Sequence, residues 1–234
     1  MTPRISVITP TCDRPFGVAL MEKYIAAQTI QPDEWIVADG GQTPATLTLG
    51  QTHIHDPHPT GPGNLCNNLL RALEKVTGDI IIFVEDDDVY LPNHFARVVG
   101  MLKDRAITGS NTLNYYNIAV RKWITMHNIG SSLSQTAITR KSLPNLTRAI
   151  QMALDGNNAK VDNWLWMLAG CWNSTPESTV YGIKGLPGPN GLGVGHKPND
   201  GRPWNDDPHW DKLREWLGEL ASPYIHATLS QPYG

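Results

Sequence analysis

Long apolar runs are missing from this chain. No stretch approaches the ~20 apolar residues that a membrane-spanning helix needs, and residues 1–10, MTPRISVITP, lack the apolar region of a secretory signal. Cysteine is scarce: Cys12, Cys66 and Cys171 are far apart, odd in number and form no CxxC pair. That argues against a disulfide framework and against a cysteine-built zinc site, so a soluble protein in a reducing, cytoplasmic setting is expected. A basic excess is also missing, since 19 Lys and Arg face 22 Asp and Glu for a net charge of −3. The molecule as a whole therefore has no field for gripping a polyanion, although a local patch is not excluded.

Several binding motifs are absent as well. There is no GxxxxGK[ST] phosphate loop, and Gly191, Gly193 and Gly195 do not make GxGxxG. The acidic stretch DDDVYLPNHFAR lacks the glycine at position six and the glutamate at position twelve of a calcium loop. HIHDPH (53–58) places two histidines on one strand face, but Asp56 precedes Pro57 instead of adjoining His58, so the register is wrong for an HxHxDH zinc signature. A polar strand end is the expectation there.

What is present is a chain of 234 residues with 40% hydrophobic content, enough to bury a core. Strand-like runs alternate with helix-like ones through the first half: strands at 4–9, 34–39, near 51–56 and at 79–85, helices at 16–29, 64–76 and 91–104, the last opening near Pro92. This order builds a mostly parallel sheet with flanking helices. From Asn114 the pattern becomes mixed α+β, with one or two strands in NYYNIAVRKWITMH, helices in SLPNLTRAIQMAL and VDNWLWMLAGCW, and a last helix in WDKLREWLGEL. Residues 182–209 are so rich in Gly, Pro, Asn and Asp that they read as one long loop of the kind that often forms a lid. A single domain over 1–234 is expected, with a nucleotide-binding half at 1–105 and an acceptor half at 106–234.

In open parallel sheets ligands bind beyond the carboxyl ends of the strands. TPTCDRP, DGGQ and the cluster Glu85, Asp86, Asp87, Asp88 should converge there. Adjacent carboxylates repel, increasingly so as water is removed, so the cluster calls for a cation. Asp39, followed by two glycines, offers a carboxylate where backbone can approach a ligand closely, as for a base or ribose.

ISVITPTCDRP, DEWIVADGG and GDIIIFVEDDDVYLP, in this order and spacing, resemble the opening of glycosyltransferase family 2. The resemblance is clearest over residues 4–95 and extends more weakly to about 172. It implies a GT-A fold, Rossmann-like, with a mixed α+β acceptor half and a nucleoside-diphosphate sugar as donor. Gly40 replaces the common second acid of the family's Asp-rich turn, and Glu85-Asp86-Asp87 takes the place of its DxD motif. Thr9, Pro10, Thr11, Arg14, Asp39, Glu85 and Asp86 are then candidates for the nucleotide. Asp87, foremost, with Asp88 and the late His196, are candidates for Mn2+ or Mg2+, hard cations that favour carboxylate and diphosphate oxygens. Strand periodicity would point Glu85 and Asp87 one way and Asp86 and Asp88 the other. The family also has an acid before an amphipathic helix that acts as catalytic base in inverting members. Asp162 of VDNWLWML stands there, with Val161 in place of the usual Glu; a helix N-cap is its other reading.

Lys184, Lys197 and Arg202 are available to phosphate or another anion. Seven of the eight tryptophans follow residue 120, which suggests an aromatic acceptor platform. Trp204 is the candidate for contact, whereas Trp164 and Trp210 have core spacing. The acceptor hydroxyl is left open between a saccharide and a hydroxymethylated DNA base. Nucleotidyl transfer on a similar scaffold is opposed by the lone Arg14 in TPTCDRP, and a non-catalytic binding module is opposed by Asp162.

Overall fold

In the computed structural model, which describes residues 2–59, 61–103, 105–170, 174–186 and 201–230, the chain opens with β1 (Ile5–Thr11), α1 (Pro15–Ala26), β2 (Glu34–Asp39), β3 (Thr52–His55), α2 (Pro62–Leu73) and β4 (Ile80–Phe83). There follow β5 (Asp88–Tyr90), α3 (His94–Leu102), β6 (Ile107–Ser110), β7 (Thr112–Asn117), β8 (Lys122–His127), β9 (Ala137–Thr139), α4 (Leu143–Asp155) and α5 (Val161–Ala169). Then come β10 (Ser174–Thr175), β11 (Val180–Lys184), β12 (Asn205–Asp206), α6 (Asp211–Leu217) and α7 (Ser222–Leu229).

Among the described residues the strands form two sheets. The larger has the order β10-β6-β9-β4-β1-β2-β3. Its β3, β2, β1 and β4 are parallel, and β9 runs antiparallel to both β4 and β6. Strand order reverses between β1 and β4, which makes the crevice beyond their carboxyl ends the topological switch point. The smaller sheet, β12-β8-β7-β11-β5, contains the β7–β8 hairpin and a parallel β7–β11 pair.

The period-two geometry of the central strands feeds a core on each face. Ile5 and Val7 of β1, Trp35 and Val37 of β2, and Ile80 and Ile82 of β4 pack with α1, α3, α6 and α7. Ile8, Ile36, Ala38, Ile81 and Phe83 point the other way, onto α2, α4 and α5. The fold is therefore α/β, helices covering both faces of a mostly parallel sheet. The hydroxyls of Tyr24 on α1 and Tyr224 on α7 lie 2.8 Å apart and tie α7 to the first helix.

Several boundaries depart from expectation, and the helix expected to be the last, in WDKLREWLGEL, is followed by α7. β4 stops at Phe83, because the chain turns at Asp86-Asp87 and enters the second sheet at Asp88. The helix expected from Pro92 begins at His94, after a turn closed by the His94 N–H donating to the Leu91 carbonyl. Residues 182–184, expected in a loop, belong to β11, since the β-formers of TVYGIK pair with β5 and β7 on both sides. At the other end of that segment, Asn205 and Asp206 pair with β8. Residues 187–200 lie outside the described residues.

His94, 1% exposed, has Nδ1 2.7 Å from the Thr179 hydroxyl and no hydrogen-bond partner for Nε2 among the described residues. Burial, assisted by the Arg97 charge, pushes its imidazole down to about 3. The unfolded chain then binds the proton more readily. The stability this histidine contributes is complete above its ordinary value near 6.5 and is lost as pH falls from there toward 3, at about 1.4 kcal/mol per pH unit. Urea unfolding of wild type and His94→Asn between pH 7 and 4.5 should show that slope in the difference between the two, where the titration of the carboxylates cancels; a pH-independent difference would remove His94 as its source.

Candidate active site

The four acids lie where the chain leaves one sheet for the other. Val84 still pairs with β1, its N–H donating to the Ile8 carbonyl, and the Glu85 N–H donates to the Tyr90 hydroxyl at 2.7 Å. β11 then runs alongside the turn, with Gly182 opposite Asp88 and the Ile183 N–H donating to the Asp87 carbonyl at 2.8 Å. That pairing lays Lys184 against the acids. A Cβ on Gly182 would fall within 3.1 Å of Asp88 Oδ1 and closer still to the Tyr115 ring, so glycine is what permits the approach.

The turn breaks the expected alternation of side chains. Asp86 faces β1, where its carboxylate accepts the Thr11 hydroxyl at 2.5 Å and Arg14 Nη1 at 2.8 Å. Glu85, Asp87 and Asp88 instead share one side, and a ligand oxygen from each lies within 4.8 Å of the others. Asp87 Oδ2 receives Lys184 Nζ at 2.7 Å and lies 3.1 Å from Arg14 Nη1. Lys184 also stands 3.5 Å from Asp88 Oδ1, a buried oxygen with no hydrogen-bond partner among the described residues.

The charges are unevenly compensated. Burial would raise the Asp87 carboxyl, but Lys184 and Arg14 outweigh it and hold it down to about 2. At Asp88 burial and the Asp87 charge prevail over Lys184, pushing its carboxyl up to about 6. Burial, then Asp88 and Asp87, push Glu85 well above the usual carboxylate range. Four carboxylates against Arg14 and Lys184 leave two negative charges when all are ionised, the complement of one divalent cation. The orphaned Asp88 oxygen, the clustered ligand atoms and this residual charge together fit such an ion, with Glu85, Asp87 and Asp88 as the oxygen donors.

The other residues singled out in the sequence divide. Thr11, Arg14 and the acidic turn come together at the switch point. Thr9 does not join them: it has no exposed surface, and its hydroxyl accepts the Trp35 indole N–H at 3.0 Å inside the sheet. Pro10 is buried in β1 opposite Ala38. Asp39 ends β2, 1% exposed, and accepts the Gly41 and Ala45 N–H groups at 2.9 and 2.7 Å, with His53 Nε2 at 3.3 Å. It shapes its own turn and stands opposite Thr11 in the β1–β2 register, at the carboxyl end of the sheet. His53 and His55 lie on the polar edge strand β3, as expected for a strand end.

Asp162 lies in the first turn of α5, half-buried, but the N-cap is Lys160 and no side chain caps the helix. Its carboxylate accepts the Asn163 N–H at 2.8 Å. Burial raises its pKa against that bond, and its charge reaches Glu85 and Tyr115, raising both. Trp204 packs half-buried on a small apolar floor of Leu113, Tyr115, Ile124 and Met126, and Arg202 is exposed. Trp210 is core at 5% exposure, and Trp164 packs against the core. His196 and Lys197 lie outside the described residues.

Sequence reasoning missed Gly17, Tyr90, Tyr115 and the ion pairs of Lys184. The β-formers of TVYGIK are the readable signal for β11, masked by the Gly- and Pro-rich residues after it. At Gly17 on α1 a Cβ would collide with the Asp86 carbonyl oxygen. Gly17→Ala must shift either the helix or the acidic turn, at about 1–3 kcal/mol. A urea melt should show the loss, and an unchanged midpoint would mean that the backbone yields freely.

Among solved structures, the chain is similar to the mannosyltransferase PcManGT from Pyrobaculum calidifontis in complex with GDP-Man and Mn2+. The TM-score is 0.53 and the identity 16%, over 98% of this chain and 75% of that one. Residues 1–349 of S. aureus TarS, in complex with UDP, match with TM-score 0.50 and 10% identity, over 77% of this chain and 60% of that one. Against a longer TarS chain the match, with TM-score 0.48 and 11% identity, spans 77% of this chain and 36% of that one. No curated protein matches by sequence. The profile for glycosyl transferase family 2 matches residues 6–158, about two thirds of the 234 residues, and the chain belongs to that family.

Proposed function

We propose that this protein transfers a sugar from a nucleoside diphosphate to an acceptor hydroxyl, with inversion, in a reaction that depends on a divalent cation held by Glu85, Asp87 and Asp88. The observation that carries the reading is the buried carboxylate cluster at the switch point of the sheet, in which Asp88 Oδ1 has no hydrogen-bond partner among the described residues. A cation bound there supplies charge neutralisation for the leaving diphosphate. Family membership and the GDP-Man, UDP and Mn2+ named with the similar structures support the same donor class.

The chain's own groups suit the remaining tasks. Arg14, kept charged by Asp86 and Asp87, stiffens the wall of the cleft between β1 and the acidic turn. Asp162 takes the proton from the acceptor hydroxyl; burial raises its basicity while its Asn163 N–H contact orients it. Trp204, half-buried on the apolar floor that includes Tyr115, offers a ring surface on the acceptor side. Nucleotidyl transfer is disfavoured because Arg14, the cation of the first loop, is already engaged by two carboxylates.

The test is binding and hydrolysis of a panel of nucleoside-diphosphate sugars, with and without Mn2+ or Mg2+, followed by saccharide and hydroxymethylated-DNA acceptors. Metal-dependent binding of at least one donor is expected. No binding and no hydrolysis across the panel would overturn the proposal.

A further inference from the structure

Lys184 is the least expected member of this site. Its side chain is 6% exposed, and it approaches two of the three clustered acids, Asp87 at 2.7 Å and Asp88 at 3.5 Å. The aliphatic stem is fixed by strand β11, whose Ile183 N–H is bonded to the Asp87 carbonyl, and the ammonium stands 5.6 Å from the centre of the Tyr115 ring. A buried ammonium in this position already does part of a metal ion's work, because it neutralises and orients the carboxylates.

It also obstructs. A divalent ion ligated by Asp87 would lie about 2.0–2.2 Å from its oxygen, within a few ångströms of the ammonium, where two cations repel strongly and little water screens them. Asp87 cannot serve both at full strength. The only anion that arrives with the metal is the donor diphosphate, whose oxygens are suitable acceptors for a displaced ammonium.

We infer that Lys184 is the resident counter-ion of the acidic turn and that a divalent cation enters by exchange with its ammonium, which makes Lys184 the residue that limits metal affinity. The inference rests on the metal site proposed above and adds a prediction of opposite sign to ordinary site mutagenesis. Removing Lys184 should strengthen metal binding, not weaken it, while making the metal-free protein less stable.

The experiment measures Mn2+ binding without nucleotide, by titration with free Mn2+ read by electron paramagnetic resonance, for wild type, Lys184→Met and Lys184→Arg, together with melts in chelator and in Mn2+. Lys184→Met should bind Mn2+ at least about tenfold more tightly, a difference of about 1.4 kcal/mol. It should also melt lower in chelator and recover with metal. Lys184→Arg keeps the charge and should retain affinity close to wild type. Unchanged or weaker Mn2+ binding by Lys184→Met overturns the exchange and leaves the metal site intact; no Mn2+ binding by any of the three overturns both. If Lys184→Met does not fold in chelator, folding at an Mn2+ concentration that leaves wild type half-empty supports the exchange. Failure to fold at any Mn2+ concentration counts against it.

Discussion

Asp87→Ala should cost both stability and donor binding, and more of each than any other single change in the acidic turn. Asp87 bonds the Lys184 ammonium at 2.7 Å and lies 3.1 Å from Arg14. Asp87→Ala leaves Lys184 buried, with Asp88 at 3.5 Å as its nearest remaining ion-pair partner among the described residues. Breaking one side of a buried pair costs about 3–5 kcal/mol, and the low end applies because Asp88 retains part of the interaction. For 234 residues that is a fall of about 6–12 °C in melting temperature, at about 2–4 °C per kcal/mol. Metal-dependent donor binding should disappear in the same variant. Calorimetry and donor titration with Mn2+ would measure the two losses. The double variant Asp87→Ala, Lys184→Met should recover part of the stability, since deleting both partners removes the uncompensated charge. Additive losses would show that the pair contributes little.

Asp162→Asn should separate binding from chemistry. Asparagine preserves size and still offers an oxygen to the Asn163 N–H, but it cannot accept the acceptor's proton. Loss of a general base lowers turnover by about 10²–10⁴-fold, while donor affinity should remain within about twofold if the residue touches only the acceptor. Because burial raises the Asp162 carboxyl, the remaining activity of wild type should decline on acidification as that carboxyl protonates, and the variant should lack that limb. Single-turnover transfer measured against pH tests both points. Wild-type turnover in Asp162→Asn would exclude it as base, and weakened donor binding would place it on the donor side.

Much of the larger sheet was legible locally. Both faces of β1, β2 and β4 are buried, so these strands read as short apolar runs, and the helices between them carry the 3.6-residue pattern. The acidic turn was equally visible, since four consecutive carboxylates after such a run have no ordinary structural reason. Less was legible in the second sheet. There β5 and β12 are only two or three residues long and, like β10 at the edge of the larger sheet, exist because a neighbouring strand pairs with them. Side-chain direction in the turn was misread for the same reason. The strict alternation of a strand ends once the chain bends at Asp86-Asp87, and Asp86 swings toward Arg14 while Asp88 joins Glu85 and Asp87.

By itself the sequence determined the family, the parallel opening half and the need for a cation at residues 85–88. These follow from periodicity, residue type and order along the chain. Only the tertiary structure decided which charges meet. Arg14 and Lys184 lie 72 and 97 positions from the acids they bond, and such distances are spanned by strand order and register, which no local pattern encodes. The same register sends the Thr9 hydroxyl inward to Trp35 and brings β11 beside the acidic turn. The stretch that called for a cation thus received one from its own chain, because pairing Gly182 with Asp88 leaves Lys184 within hydrogen-bond distance of Asp87.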